Sequence, residues 1–306
     1  VRFPDRAYVL GLAGSTRLDP RRVEVRENGR LMTGVSVVPA RRAAARTFGV
    51  VLALDASNSM RGPAIEAAVQ AARVFVARRA PTQLLGLVVF NDRVRVVLSP
   101  TAGATAIRNA LASTPALAEG TRLYDGAAKA VDLLRAARIK AGSVVLLTDG
   151  RDVGSRLGQE AVIAKARAAG VRLFAVGLRS PQFSPGPLWQ LARATGAQYA
   201  ETSSTGALSR IYGALSQKLA GEYLLRYRSL AGPDVPVRVE VRVSGAPGVA
   251  VATYRTPALP TKSLPPFHRS LLERFWTSIV GAVLVSLLIG LLAWLVVSSL
   301  ARRYQG

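Results

Sequence analysis

The chain has 306 residues, half of them hydrophobic, and a formal net charge of +23 that is carried mainly by Arg. This length is enough for one large or two modest domains with a sizeable core. There is no cysteine, which excludes disulfides and thiolate metal sites. The basic residues are scattered with few aromatic residues among them, so the charge does not predict nucleic-acid binding.

The first 46 residues predict short β-strands. Apolar or alternating segments lie at Ala7–Leu12, Val23–Arg26 and Leu31–Val38. The tripeptide Glu27-Asn28-Gly29 is typical of a hairpin turn. The sequence does not begin with a charged segment followed by an apolar one, so we expect a secretory signal to be absent or already removed. A basic, Ala-rich linker, Pro39–Arg46, ends this flank.

From Thr47 onward, strands and helices alternate, which predicts an α/β unit with a doubly wound, mostly parallel sheet and helices on both faces. The predicted strands are Phe48–Asp55, Leu85–Phe90, Val94–Leu98, Ser143–Thr148 and Val171–Gly177. The predicted helices are Pro63–Ala80, Ala104–Ser113, Tyr124–Arg138, Leu157–Ala169, Pro187–Ala194 and Thr205–Ala220. The second and third strands are expected to form a hairpin around Asn91-Asp92.

Five side chains with oxygen donors fall at strand ends or in a loop before a helix. Asp55 ends the first strand of the α/β unit, and Ser57 and Ser59 follow at alternate positions. Thr121 precedes a helix, and Asp149 follows a second buried strand. Open α/β sheets bind ligands at the carboxyl ends of their strands. Carboxylate and hydroxyl oxygens are hard ligands of the kind that Mg²⁺ prefers.

The pattern D-x-S-x-S, followed at a distance by Thr and then by Asp, resembles the metal-ion-dependent adhesion site of von Willebrand factor A domains. None of the five positions departs from that pattern, and the resemblance covers about Thr47 to Gly221. It implies a Rossmann-like A-domain fold with one bound Mg²⁺, or Mn²⁺ or Ca²⁺. It also implies a protein partner that supplies an acidic side chain to the metal. The alternative is that the two aspartates cap loops and the serines are solvated turn residues.

The sequence argues against an enzyme. The only histidine is His268, so the α/β unit lacks the commonest general base and a Ser–His–Asp arrangement. No phosphate-binding G-x-x-x-x-G-K-[ST] loop and no G-x-S-x-G elbow occur. A phosphoryl-transfer role for Asp55 stays open, although Ser57 replaces the second acid of the D-x-D pattern. Asp125 and Asp152 are interpreted as helix-start acids near the positive dipole end, rather than as residues that orient a ligand.

After Gly221 the alternation of period two returns. Strands are predicted at Glu222–Arg228, Pro236–Val243 and Val249–Tyr254. We expect them to join the N-terminal strands in one small antiparallel β-sandwich, with the α/β unit inserted into it. Packing inside that sandwich explains Tyr223, Tyr227 and Tyr254. Two unrelated β appendages are the alternative.

The C-terminal part predicts a membrane anchor. A Pro-rich linker is followed by Thr277–Leu300, which carries no charge and is long enough to span a bilayer. The basic residues do not fix the orientation, since Arg302 and Arg303 favour a cytoplasmic C-terminus and those of the linker oppose it. The large domain is placed outside the cytoplasm by resemblance to single-pass A-domain proteins of bacterial cell membranes, some of which continue into a type II secretion F-like module.

Small residues recur at every fourth position of this segment, at Ser278, Ala282, Ser286 and Gly290. On a helix they share one face, which permits close packing against another membrane helix, including a second copy of the chain. The alternative is that such residues are simply frequent in membrane helices.

The predicted organisation is N-terminal strands in residues 1–46, an A domain in 47–221, C-terminal strands in 222–255, a linker in 256–275, a transmembrane helix in 276–300 and a basic tail in 301–306. The predicted function is metal-dependent binding of a partner protein at the membrane, in adhesion, secretion or pilus-related assembly. A membrane scaffold whose metal site only stabilises the fold is the alternative.

Overall fold

The computed structural model of the chain describes residues 3–11, 18–44, 46–180, 183–246, 248–258 and 279–304, without the side chains of 279–282 and 297–304. The chain divides into two compact units, Val1–Pro257 and Ala258–Gly306. Each unit is considered by itself.

The strands of the first unit are, in chain order, β1 Asp5–Leu10, β2 Val23–Glu27, β3 Arg30–Leu31, β4 Ser36–Pro39, β5 Phe48–Asp55, β6 Leu84–Phe90, β7 Val94–Thr101, β8 Ala141–Thr148, β9 Arg172–Leu178, β10 Tyr199–Thr202, β11 Tyr223–Arg228, β12 Pro236–Val243 and β13 Val249–Arg255. Its helices are α1 Pro63–Arg78, α2 Ala104–Ala110, α3 Leu123–Ala136, α4 Gln159–Ala169, α5 Pro185–Ala194 and α6 Thr205–Ala220. The second unit contains α7, Ile279–Tyr304.

The central sheet has the strand order β10-β9-β8-β5-β6-β7. Its strands are parallel, except that β7 pairs antiparallel with β6. From β5 the chain first adds β6 and β7 on one side and then returns to add β8, β9 and β10 on the other. The strand order therefore reverses between β5 and β8. In open α/β sheets this switch point is where ligands bind.

Strand β5 is buried along its whole length because helices cover both faces of the sheet. Val50, Leu52 and Leu54 belong to a core cluster with residues of α1, α2 and α6. Val51 and Ala53 face the opposite side, with residues of α3, α4 and α5. Successive residues of a strand point to opposite faces, and both faces here are apolar. The predicted doubly wound arrangement is confirmed.

Two predictions for the strands need correction. The segment predicted as one strand, Leu31–Val38, forms the short β3 and the separate β4, because Gly34 turns the chain between them at a φ of 67°. Strand β10 was not predicted. Its sequence, Tyr-Ala-Glu-Thr, is short and half polar because it lies at the edge of the sheet, where it pairs only with β9.

The flanking strands form two antiparallel sheets with the orders β1-β11-β4 and β13-β12-β2-β3. Each sheet contains strands from before and after the α/β unit. Side chains from both sheets share one hydrophobic cluster that includes Val25, Leu225 and Val239. The predicted hairpin turn is present, with positive φ values at Asn28 and Gly29. The face-to-face sandwich stays a prediction.

Helix α7 forms over the segment that predicts a membrane span, and it continues through Arg302 and Arg303, which were predicted to lie in the tail. Among the residues described, no helix combines the length and the apolar character needed to cross a membrane. Residues 259–278 lie outside the described residues. They include most of the predicted linker 256–275, as well as Trp276 and Ser278. Because the side chain of Ala282 is also not described, the small-residue packing face stays a prediction.

Candidate metal-binding site

The five predicted ligand residues lie on three loops at the carboxyl edge of the central sheet. Asp55 is the last residue of β5, and Asp149 directly follows β8, the neighbouring parallel strand. Ser57 and Ser59 lie in the connection from β5 to α1, and Thr121 lies just before α3. These positions surround the switch point of the sheet.

Both carboxylate oxygens of Asp55 accept hydrogen bonds. The Ser57 amide donates to Oδ1 at 2.8 Å, and the Thr148 hydroxyl donates to Oδ2. Asp55 is fully buried, with an exposed fraction of 0%. The carboxylate is therefore held in one orientation inside the protein.

The two serines connect Asp55 to Asp149. The hydroxyls of Ser57 and Ser59 are 2.9 Å apart, and the Ser59 hydroxyl donates to Asp149 Oδ1 at 2.8 Å. The peptide of Asp149 is also held, because the Ser180 hydroxyl donates to its carbonyl at 2.6 Å. Four of the five predicted residues are thus brought together.

Thr121 is placed by its backbone. Its amide donates to the Val153 carbonyl at 3.0 Å, and the Val153 amide donates back at 2.9 Å. This pairing joins the loop of Thr121 to the loop that begins at Asp149. Within the described part of the chain, no hydrogen bond of the Thr121 hydroxyl is found, so that oxygen keeps its capacity to bind a ligand.

A clasp formed by Asp152, Ser155 and Asp125 fixes the same two loops. Asp152 accepts from the Tyr124 amide at 3.2 Å and from the Ser155 hydroxyl at 2.5 Å. The Ser155 hydroxyl also accepts from the Asp125 amide at 3.2 Å. Asp125 in turn accepts from the amides of Arg156 and Leu157. Asp152 and Ser155 thereby satisfy free amides in the first turn of α3. Asp125 lies in that turn, as interpreted from the sequence, whereas Asp152 lies in the loop before α4 and supports the neighbouring loop of Thr121.

Burial perturbs both carboxylates of the candidate site. Burial raises the pKa of Asp55 to about 6, although hydrogen bonds from Ser57 and Thr148 act in the opposite direction, and the charge of Asp149 raises it further. Burial also raises the pKa of Asp149, against the hydrogen bond from Ser59. Each carboxylate is therefore costly to keep ionised without a cation.

Residues 50–151 match the family model of the von Willebrand factor type A domain. This match covers one third of the chain, and we refer to the α/β unit that contains it as the A domain. The fold is similar to that of the von Willebrand factor type A protein from Catenulispora acidiphila, with a TM-score of 0.54 and 15% identity, over 89% of this chain and 78% of that one.

Two further solved structures are similar to this chain. Proximal thread matrix protein 1 of the mussel byssus is 23% identical, with a TM-score of 0.50, over 62% of this chain and 49% of its own length. The chain thus spans about half of the mussel protein. An aerotolerance-related membrane protein from Bacteroides fragilis, with multiple mutations to serines, is 18% identical, with a TM-score of 0.48, over 56% of this chain and 98% of its own length. At 15% and 23% identity, the likeness to the Catenulispora and mussel proteins shows the fold alone. No curated protein sequence matches the chain.

Sequence reasoning missed the residues that support the ligands of the A domain. Thr148 was counted only as a strand residue. It is the last residue of β8, directly before Asp149, and because β8 is the parallel neighbour of β5 its hydroxyl reaches Asp55. Asn91 was taken as a hairpin turn residue. Its side chain also binds the carbonyls of Ala56 and Ala116, each at 3.4 Å, and so connects the loops of Asp55 and Thr121.

The donor set of the A domain fits a hard divalent cation. It consists of two carboxylates and three hydroxyls, and Mg²⁺ sites commonly use one or two carboxylates and complete the shell with water. No cluster of three or more His, Cys, Asp or Glu residues suited to a metal occurs among the described residues. A cation here would therefore depend on hydroxyl and water oxygens, which favours Mg²⁺ over softer metals.

Proposed function

We propose that the A domain binds one divalent cation, Mg²⁺ in the first place, through Asp55, Ser57, Ser59, Thr121 and Asp149. We further propose that the bound ion captures an acidic side chain of a partner protein. Mn²⁺ and Ca²⁺ are the other candidate ions. When bound, the ion supplies a positive centre that attracts an anionic oxygen.

The observation that supports this proposal is the pairing of Asp55 with Asp149. Both carboxylates are buried, and the charge of one raises the pKa of the other. Within the described residues, neither forms an ion pair with Arg or Lys. Two close, buried carboxylates without a positive partner are unfavourable, and a divalent cation removes that cost.

The proposed capture of an acidic partner follows from the charge balance. Two carboxylates neutralise a divalent ion without making the site strongly negative, so an anionic ligand is not repelled. The hydroxyls of Ser57, Ser59 and Thr121 add no further charge. The partner itself and its place in adhesion, secretion or pilus-related assembly belong to the proposal.

Anchoring to a membrane is a separate part of the proposal. It is supported by the sequence of Thr277–Leu300, which has no charged residue, and by the exposure of Leu287 and Leu288 on α7. The test is cell fractionation of the full chain and of a chain ending at Pro257. We expect only the full chain in the membrane fraction, and equal distribution of the two would contradict anchoring.

The capture of an acid is tested with acetate, which presents one carboxylate. The full chain is loaded with Mn²⁺, and the paramagnetic relaxation of the acetate methyl protons is measured by NMR. We expect strong relaxation, and we expect excess Mg²⁺ to suppress it by displacing Mn²⁺.

Two controls separate the alternatives. Asp149→Asn keeps an oxygen for the Ser59 hydroxyl but removes one charge, and we expect it to abolish the relaxation. If Mn²⁺ binds but acetate does not approach it, the metal only stabilises the fold. Turnover of a phosphate monoester with Mg²⁺ that depends on Asp55 would instead favour a phosphoryl-transfer enzyme.

A further inference from the structure

A groove between α1 and α2 has no role in the proposed metal site. It has a volume of about 590 Å³ and lies beside the C-terminal half of α1, whereas Ser59 lies just before the start of that helix. Its apolar lining includes Val76, Ile107 and Leu111. Small-molecule sites have volumes of roughly 300–1,000 Å³ and mostly apolar linings, so the groove is large enough for a small ligand.

Arginine side chains bridge the groove at both of its ends. At one end Arg73 donates to the carbonyl of Leu111 at 2.7 and 3.0 Å and to that of Ala112 at 3.0 Å. At the other end Arg79 donates to the Ala102 carbonyl at 3.1 Å. A long peptide in the groove would have to break these bridges. A compact ligand would leave them in place.

The charge of the groove is unbalanced. Arg73, Arg79 and Arg108 line it, and no Asp or Glu does. The carbonyl oxygens that accept from Arg73 and Arg79 are neutral, so they orient the guanidinium groups without cancelling the charge. Burial lowers the pKa of Arg79, which shows that this cation lies in a poorly solvated place. An anion in the groove would compensate that loss of solvation.

We propose that this groove binds a small amphiphilic carboxylate. Its apolar body lies against Val76, Ala77 and Ala104, and its carboxylate lies against the arginines of the rim. Arg108 is the best placed of these to turn toward a ligand, because it is exposed and donates only to the Thr105 hydroxyl among the described residues. This inference is independent of the metal site.

The test is a calorimetric titration of decanoate, below its micelle concentration, into the full chain. We expect saturable binding of one decanoate per chain. Ala77 and Ala104 line the groove and are exposed, so Ala77→Phe and Ala104→Phe fill it from either helix without disturbing the core. Each is expected to weaken binding at least about tenfold, since the apolar body loses its place.

The charge is tested with Arg108→Gln and with decyltrimethylammonium, which has the same tail and the opposite charge. We expect about tenfold weaker decanoate binding in Arg108→Gln and no saturable binding of the ammonium. The matched control is Arg193→Gln, which removes an arginine that lies over Trp189 on α5 and should bind decanoate like the parent. The proposal is overturned if the parent shows no saturable binding, if both filled variants bind like the parent, or if the ammonium binds as well as decanoate.

Discussion

The Ser59 hydroxyl donates a 2.8 Å hydrogen bond to Asp149, a residue ninety positions later in the chain. This bond connects the loop after β5 to the loop after β8, on the two sides of the switch point. It also orients the carboxylate of Asp149 through the Ser59 hydroxyl, whose oxygen is itself 2.9 Å from the Ser57 hydroxyl oxygen. The candidate ligands are therefore positioned by one another before any ion is bound.

The first prediction concerns Asp55→Asn in the metal-free chain. The pKa of Asp55 is raised from 3.8 to about 6 in the folded state, so its ionisation costs about 3 kcal/mol of stability at pH 7. The variant should therefore unfold at higher urea concentration at pH 7. An amide fits the site, since its oxygen can accept from the Ser57 amide and its nitrogen can donate to Thr148.

The stabilisation by Asp55→Asn should depend on pH. The cost is absent below pH 3.8, where the folded and unfolded states both hold the proton, and it develops up to about pH 6. The gain from Asp55→Asn should accordingly be lost near pH 4. Asp132→Asn, which removes an exposed partner of Lys165, is the control and should change stability by less than about 1 kcal/mol. A destabilised Asp55→Asn variant at pH 7 would show that the carboxylate is not strained by burial.

The second prediction concerns the pH dependence of Mg²⁺ affinity. Since the pKa of Asp55 is about 6, Mg²⁺ must displace a proton below that pH. The apparent affinity should be nearly constant above pH 7 and fall about tenfold per pH unit below 6. Because the pKa of Asp149 is also raised, displacement of a second proton makes the fall steeper. Titrations at pH 7.5, 6.0 and 5.0 check this, and equal affinities at all three would rule out a proton-coupled carboxylate site.

Much of this site could be predicted from the sequence because its two aspartates end or directly follow strands whose sequences are typical of buried parallel strands. The run Phe48–Leu54 is continuously apolar, and the structure forms a strand over it that ends at Asp55. The carboxyl ends of neighbouring parallel strands meet at one edge of a sheet, so Asp55 and Asp149 were expected there together. The α/β alternation likewise predicted both helical layers.

The supporting interactions could not be predicted in the same way, because they depend on pairings between distant segments. Nothing near Thr148 in the sequence indicates that its hydroxyl contacts Asp55, which is 93 residues away. The clasp around Asp152 depends on the antiparallel pairing of Thr121 with Val153. Strand β10 was missed because an edge strand has one partner and needs less apolar character.

The third prediction concerns Asp152, which is not a proposed ligand. Asp152→Ala removes the acceptor of the Tyr124 amide and of the Ser155 hydroxyl, which loosens the loop that carries Thr121. We expect Mg²⁺ affinity to fall about 10- to 100-fold, as for other residues that orient metal ligands. Calorimetry measures this change. The control is Asp132→Ala, which removes an acid of α3 that lies near α4. Lower stability of Asp152→Ala with unchanged Mg²⁺ affinity would limit the clasp to a structural role.

The fourth prediction concerns a polar cluster in the flanking sheets, centred on Glu27. This carboxylate is 5% exposed and accepts from the hydroxyls of Tyr227, Ser229 and Tyr254 and from the Leu230 amide. It thereby joins β2 to strands that follow the α/β unit. In Glu27→Gln an amide donor faces these donors, and we expect a loss of about 1–3 kcal/mol in the free energy of unfolding.

The pH dependence of the cluster has the opposite sign to that of Asp55. Burial alone would raise the pKa of Glu27, but the hydrogen bonds from Tyr254, Ser229, Leu230 and Tyr227 outweigh it and hold the pKa below 4.5. Its stabilisation is therefore present at neutral pH and is lost as the pH falls below 4.5. The control is Glu24→Gln on the same strand, whose carboxylate pairs with the exposed Arg26. Equal urea midpoints for the two variants at pH 7 would contradict this account.

The central claim is that Asp55 and Asp149 form one site for a divalent cation, and calorimetric titration of Mg²⁺ into the full chain at pH 7.5 tests it most directly. The account predicts saturable binding of one ion per chain. It also predicts that Asp149→Asn, which removes one charge but keeps an oxygen for Ser59, abolishes that binding. An absence of saturable binding in the parent, or the same affinity in the variant, would contradict the claim.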